Sequence, residues 1–272
     1  MISYIGGKSR MSKWICEYIP NDIETYVEVF GGAFWVYVKG DIHEKPNLKE
    51  VVYNDKNRFM ANLFECMKDP LRLDVELSKF PSQQKDLFDK FQNNLNTIAK
   101  QGCFFKLGNF ELAVQYAYCA TQVFSGSKIL ESKFIDLKGK YGSKYDALIN
   151  RLRKGDVLKR LTKITTSEDI NYLECIIKHD SPKTFFYIDP PYWKTENYYS
   201  NHDFDRNDHE LLCDILNQIN GKFALSYYDF ELLSEWLPKD KYNWVEKEFT
   251  KAAGAQKGKK QNKGKELLIM NY

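Results

Sequence analysis

No two of the six cysteines (Cys16, Cys66, Cys103, Cys119, Cys175 and Cys213) stand at CxxC spacing, and only four of the 272 residues are histidine. With no thiol or imidazole cluster at ligand spacing, neither a metal site nor a disulfide framework is expected, and reduced cysteines are the simplest account. The chain has no run of about 18 apolar residues able to span a bilayer, and no signal-peptide pattern opens it. A soluble cytoplasmic protein is therefore expected. The fingerprint GxGxxG is also missing, which leaves a nucleotide-dependent oxidoreductase weakly supported. Nor is there a strong excess of one charge: the net value of +3 is too small to imply nucleic acid by itself. No repeat, low-complexity tract or obvious linker divides the chain. At 43% hydrophobic, it has enough apolar residues for a full core in one or two domains.

Among what is present, Thr184–Tyr192, TFFYIDPPY, stands out. A short aromatic and β-branched run bounded by turn residues predicts a buried strand. Asp189 then sits at its carboxyl end, where open α/β sheets place their ligands. Pro190 and Pro191 lack N–H groups and fix a stiff, extended exit. The carbonyls of Asp189 and Pro190 lie beside the carboxylate, with the Tyr192 ring just beyond. A row of acceptors next to a flat ring suits gripping a planar amine. An ordinary strand exit stopped by Pro-Pro is the competing reading.

The upstream segments supply a second set of signals. Ser3–Lys8, SYIGGK, combines glycines that permit close backbone approach with a lysine suited to a carboxylate or phosphate, although in isolation a plain turn with a surface lysine is the stronger reading of this piece. Apolar spacing predicts a helix over Met11–Ile19. Thr25–Phe30 reads as a core strand, followed by the Gly31-Gly32-Ala33 turn and the apolar Phe34–Val38, which is the start of a Rossmann-type unit. About 20 residues later, Val51–Asp55 is a second strand ending in an acid, and an acid at that spacing can accept both ribose hydroxyls of a nucleoside-type cofactor. Asn57–Lys68 is predicted as an amphipathic helix.

From about Pro70 to Leu161 the pattern is helical and charged, with Phe110–Val123 rich enough in aromatic and small residues to be a buried helix. Ser125–Lys128 and Lys138–Lys144 are basic or polar tips, and Arg151–Lys163 carries six basic side chains. Basic residues interleaved with tyrosine fit phosphate and base contact, and a solvated charged face fits equally. A short strand ending near Asp169, a helix over Tyr172–His179 and a helix over Asn207–Ile219 follow. After them come a strand at Phe223–Ser226, a helix at Phe230–Trp236, and strands at Asn243–Phe249 and Glu266–Tyr272. The loop Lys251–Lys265 is lysine- and glycine-rich without an acid, as suits tracking a phosphate backbone.

Taken in order, SYIGGK, YVEVFGGAF, YND at Tyr53–Asp55, IDPPY at Ile188–Tyr192 and the closing ELLIMNY resemble the Dam-like family of DNA N6-adenine methyltransferases. The resemblance covers both flanks well and the middle loosely. It implies an α/β, Rossmann-like S-adenosylmethionine-dependent methyltransferase fold. Residues 1–58 plus 165–272 would form the catalytic domain, and 59–164 an inserted, mainly helical target-recognition domain. By the same resemblance Tyr4 and Lys8 hold the methionine end of S-adenosyl-L-methionine, Phe30 and Gly32 line its pocket, Asp55 binds its ribose and Asp169 contacts its adenine. Asp189, Pro190, Pro191 and Tyr192 fall on the catalytic motif, with Asp189 also bordering the cofactor. Phe34 departs from the family pattern, which commonly has a further small residue there.

The activity so implied is methyl transfer to N6 of a flipped-out adenine in double-stranded DNA, in the cytoplasm of a bacterial or phage-infected cell. No metal is expected, nor a membrane; the chain is expected to be monomeric, with a cognate restriction endonuclease as a partner the resemblance allows. Trp193 and Tyr198 either close the base pocket or pack in the sheet's core. DNA contacts are expected at Ser125, Lys128, Lys140 and Lys144 in the insert and at Lys251, Lys257, Lys259 and Lys260 near the end. Cytosine N4, RNA adenine or a protein amide would use closely shared chemistry, and digestion of the product to nucleosides separates these. A catalytically silent DNA-binding relative is the alternative of another class, revived if S-adenosylmethionine does not bind.

Overall fold

Strands covered by helices on both faces of a parallel sheet show as unbroken apolar runs, because neither side meets water. Thr184–Ile188 is such a run, buried at every position. The computed structural model describes residues 7–102, 104–123, 128–136, 143–194, 204–250 and 263–272. Among them are seven strands: β1 (Thr25–Glu28), β2 (Glu50–Asn54), β3 (Thr166–Glu168), β4 (Thr184–Ile188), β5 (Lys222–Tyr227), β6 (Asn243–Thr250) and β7 (Lys263–Met270). They form one sheet in the order β3-β2-β1-β4-β5-β7-β6. The first five run parallel, and β7 lies antiparallel between β5 and β6. Strand order reverses between β1 and β4, so the crevice at their carboxyl ends is the topological switch point where such sheets bind ligands.

Alternation along each strand divides the core in two. Tyr26, Val51, Tyr53, Phe185, Tyr187, Ala224 and Leu268 pack on one face. Helices α1 (Ser12–Cys16), α2 (Trp35–Lys39), α3 (Arg58–Met67), α4 (Pro70–Leu77), α5 (Lys85–Lys100), α6 (Phe110–Thr121), α7 (Lys144–Leu152) and α8 (Gly155–Leu161) contribute to that cluster. On the other face Val27, Val52, Phe186, Ile188, Phe223, Leu225 and Ile269 meet α9 (Tyr172–His179), α10 (Arg206–Leu216) and α11 (Leu233–Trp236). Each large side chain buried in this way stabilises the fold by about 1.5–3 kcal/mol.

Helix starts follow the caps in the sequence. The side chains of Asn57, Asn109, Ser143, Asn171 and Asp205 accept from first-turn N–H groups of α3, α6, α7, α9 and α10, each cap contributing about 1 kcal/mol. Helix α6 is buried from Leu112 to Thr121, in line with its aromatic and small-residue composition. Buried Asn62 ties α3 to the loop before α6, donating to the Asn109 carbonyl at 2.9 Å and accepting from the Gly108 and Asn109 N–H groups.

Most strand boundaries shift from expectation by one or two residues, and the start of β7 shifts by three. The strand expected from Glu266 begins at Lys263, so Lys263–Lys265 leave the loop and join β7. Lys263 reaches Glu248 at 2.8 Å and Lys265 reaches Glu246 at 3.0 Å across the β6–β7 pair. Charge complementarity between strands extends the ladder where composition alone reads as loop.

Candidate active site

Asp189 follows the last residue of β4 and stands at the switch point, with 19% of its side chain exposed. Burial of the carboxyl raises its pKa above the ordinary aspartate value, and the neighbouring Lys8 opposes that rise. Lys8 Nζ lies 2.8 Å from Asp189 Oδ1 and 3.2 Å from Glu266 Oε1. The turn that opens α1 sets Lys8 in place: its carbonyl accepts from the N–H groups of Met11 and Ser12 and from the buried Ser12 hydroxyl. The Tyr192 hydroxyl also donates to Glu266 Oε1. Its ring stacks on Tyr227 at 5.3 Å and meets Tyr228 edge-on at 4.4 Å. Lys8 Nζ lies over that ring, 4.6 Å from its centroid.

Beside this group, at the ends of β1, β2 and β3, a cavity is lined by Phe30, Asn54, Lys56, Ile170, Tyr172 and Phe204, among others. Phe30 stacks on Tyr172 at 5.6 Å, and the Tyr172 hydroxyl donates to Asp208 at 2.8 Å. Asn54 holds three strand ends together, donating to the Val29 and Ile170 carbonyls and accepting from the Ile170 N–H. Apolar walls with a few placed polar groups are what a nucleoside-bearing ligand requires.

The glycine turn borders the same region. A Cβ on Gly31 would fall 2.4 Å from the Tyr53 ring, so only glycine fits there. Gly32 has φ of 47° and Phe34 has φ of 56°, both left-handed. Asp55 is buried and faces this turn, with Oδ2 accepting from the Gly32 N–H and Oδ1 from the Asn57 N–H, each at 2.8 Å. Asp169 pairs with Arg58 at the start of α3, and Arg58 also donates to the Phe105 carbonyl. Trp193 packs on Phe230 with centroids 4.8 Å apart, as part of the second core cluster.

Geometry such as this points to amine chemistry beside a nucleoside site, and the comparison with known families agrees. Residues 4–252 match the D12 class N6 adenine-specific DNA methyltransferases. The chain belongs to that family. Similar curated proteins are the Type II methyltransferase M.FokI of Planomicrobium okeanokoites, 22% identical over 299 residues, and the Modification methylase StsI of Streptococcus sanguinis, 23% identical over 295 residues. Each alignment takes in 100% of this chain and 42% of the relative, so this D12-family chain spans about two-fifths of their length.

Of the expected site residues, Lys8, Asp189 and Tyr192 come together, while Phe30, Gly32 and Asp55 gather along the adjoining strand ends. Tyr4, Ser125, Lys140, Tyr198, Lys251, Lys257, Lys259 and Lys260 lie outside the described residues. Lys128 is exposed, whereas the Lys144 ammonium is directed at the Val123 carbonyl, 3.5 Å away. In the basic stretch 151–163, Arg153 clamps Asp74, and Arg160 donates to the Val38 carbonyl and to Asp41, so both tie helices together. No helix among the described residues is long and apolar enough to cross a membrane.

Glu28 and Glu266 were not singled out by sequence reasoning. The only signal for either was an acid inside a strand pattern, which ordinarily argues for an exposed face. Glu28, at the end of β1, is buried; its Oε1 accepts from the Tyr26 hydroxyl at 2.7 Å and the Tyr37 N–H at 2.8 Å. Burial pushes its pKa up to about 8, against those two hydrogen bonds, with the charge of Asp189 adding to the rise. An unfolded glutamate titrates near 4.5, so between that pH and about 8 the folded chain keeps a proton that the unfolded chain has lost. Stability contributed by Glu28 is therefore full at low pH, falls through that window and is level above it. Glutamine mimics the protonated carboxyl. Glu28→Gln is expected to melt near the wild type at pH 5 but to be more stable above pH 8, by on the order of 5 kcal/mol. Melting curves at the two pH values check this; an unchanged pH dependence would count against it.

Proposed function

We propose that this chain transfers the methyl group of S-adenosyl-L-methionine to N6 of a flipped-out adenine at a specific site in double-stranded DNA. The observation that carries the reading is the partly exposed Asp189 carboxyl at the switch point, paired with Lys8, beside Tyr192 and near the cavity at the strand ends. N6 is a weak nucleophile because its lone pair is delocalised into the ring. Asp189 and the Pro190 carbonyl accept from the two N6 hydrogens and turn the lone pair toward the donor. Orientation and stabilisation of positive charge on nitrogen supply the rate. The adenine is out of the duplex and stacks against Tyr192. Pro191 keeps the segment stiff between carboxylate and ring.

The residues at the strand ends fit the cofactor. Phe30 and Gly32 line its pocket, Asp55 reads the ribose, Asp169 lies toward the adenine, and Tyr4 and Lys8 hold the methionine carboxylate. When bound, the cofactor would supply an electrophilic methyl group on sulfonium sulfur, with a neutral thioether as the leaving group. Asp189 is placed to receive the N6 proton after transfer.

Residues 59–164 form the target-recognition insert of this reading, with Ser125, Lys128, Lys140 and Lys144 toward DNA. Thr250 and Lys263, which flank the lysine-rich stretch, stand at the same sheet edge as Asp189, because β7 runs against β5. Replacing Lys251, Lys257, Lys259 and Lys260 with alanine is expected to flatten the salt dependence of DNA binding by up to about 3–4 in log–log slope. Binding isotherms at several salt concentrations measure it, and an unchanged slope removes these lysines from the interface. A restriction endonuclease partner, monomeric state and cytoplasmic location belong to the same reading. The reaction is tested by incubating the chain with S-adenosylmethionine and unmethylated genomic DNA and digesting to nucleosides. N6-methyladenine is the expected product; N4-methylcytosine or no modified base refutes the assignment.

A further inference from the structure

We infer that Glu266 is a positioning residue for methyl transfer: it takes the Lys8 ammonium off Asp189 and off the Tyr192 ring, so that the target amine occupies the place Lys8 leaves. The inference rests on the reading of Asp189 as the grip on that amine. Lys8 Nζ is a donor nitrogen on the Asp189 carboxylate at 2.8 Å and over the Tyr192 ring at 4.6 Å. These are the carboxylate and the ring an exocyclic amine on a flat base would use. Tyr227 covers Tyr192 in a near-parallel stack, 18° between planes, so the lysine and the base compete for what remains of the ring.

A lysine that gives way must keep a counter-charge, because an unpaired buried ammonium is strongly disfavoured. Glu266 Oε1 already stands 3.2 Å from Nζ and is itself buried. It also accepts from the Tyr192 hydroxyl and so sets the angle of the ring. Glu266 reaches the site because β7 runs antiparallel: Leu267 lies opposite Tyr227, which brings the preceding residue to the edge where the parallel strands end. Lysine has three N–H donors, so Glu266 can hold one while the others pass from Asp189 to the methionine carboxylate.

Two carboxylates share one ammonium here, and burial raises the pKa of both. Among the described residues the titratable and charged groups around the pair are Lys8 before α1, Glu28 on β1, Tyr187 on β4, Tyr192 after it and Tyr228 beyond β5. Removing the Glu266 charge leaves Lys8 wholly to Asp189, which then ionises at lower pH and is less available to the amine.

The test compares wild type, Glu266→Gln and Glu266→Asp in the full chain, with S-adenosylmethionine and unmethylated genomic DNA. For Glu266→Gln, kcat is expected to fall by about 10–100-fold, with KM for S-adenosylmethionine little changed. The acidic limb of its kcat profile moves to lower pH, and Glu266→Asp recovers part of the loss. Carboxyl-carbon NMR of Asp189 in the protein alone, without DNA or cofactor, is expected to show the same downward move. A folded Glu266→Gln with wild-type kcat and an unmoved Asp189 titration overturns the inference. Equal losses in both variants that track a lowered melting temperature also overturn it, by making Glu266 structural only. Should the wild type itself make no N6-methyladenine, the reading of the reaction falls, and the Asp189 titration alone decides whether Glu266 shares Lys8.

Discussion

Asp189→Ala is expected to lower kcat by at least about 1000-fold while S-adenosylmethionine binding survives in part. In the reaction proposed here the carboxylate is the one charged group that touches the amine, and the Pro190 carbonyl remains as a single neutral acceptor. A lost acceptor for developing positive charge costs more in the transition state than in the ground state, so the effect falls on kcat. The fold should tolerate the change. Lys8 lies between two carboxylates, 2.8 Å from one and 3.2 Å from the other, and deleting Asp189 leaves it paired with the buried Glu266. Single-turnover rates measured beside calorimetric cofactor titration separate the two effects. Turnover near the wild-type level would remove Asp189 from the chemistry.

A second large effect is expected in stability, at Phe34. This residue adopts the left-handed conformation, φ 56° and ψ 34°, at the start of α2, yet its side chain is fully buried. Its ring stacks on Tyr37 at 4.7 Å and meets Tyr53 and Phe64 edge-on at 5.1 and 5.5 Å. The backbone cost of that conformation is about 1–2 kcal/mol, and deleting a buried phenylalanine ring costs about 3–5 kcal/mol. Packing outweighs that cost and holds the aromatic side chain at this turn. Phe34→Ala is expected to lose about 3–5 kcal/mol, and Phe34→Gly about 1 kcal/mol less, because glycine pays no penalty for the left-handed turn. Denaturant titrations of the two variants check the order. An alanine variant as stable as the glycine one would show that the turn relaxes.

Local signals account for much of what sequence reading recovered. The unbroken apolar run before Asp189 marked a central strand, and the amphipathic pattern from Asn57 marked the start of α3 to within a residue. Asp189 was legible because strand, acid and two prolines lie consecutively. Glu266 was not, since its partners Lys8 and Tyr192 meet it only through sheet order, the latter across 74 residues of chain. Glu28 was hidden for the same reason: its partner Tyr37 comes from the next helix, and an acid in a strand ordinarily faces water. Arg153 and Arg160 read as members of one basic run because charge is visible in a sequence, whereas Asp74 and the Val38 carbonyl, which claim them, are not. Asp55 shows the opposite case. Its place at the end of β2 was read correctly, but its contacts with the Gly32 and Asn57 N–H groups depend on the path of the turn.

The placement of β7 also governs how the protein is made. Ribosomes deliver the chain in order, and the strand that carries Glu266 is the last of the seven among the described residues although it lies inside the sheet. A nascent chain that has emerged through β6 has Lys8, Asp189 and Tyr192, but the edge of β5 that β7 covers is unpaired and β6 lacks the strand it pairs with. Lys8 and the Tyr192 hydroxyl then lack the Glu266 carboxylate. The same insertion that closes the sheet thus brings Glu266 to Lys8 and Tyr192.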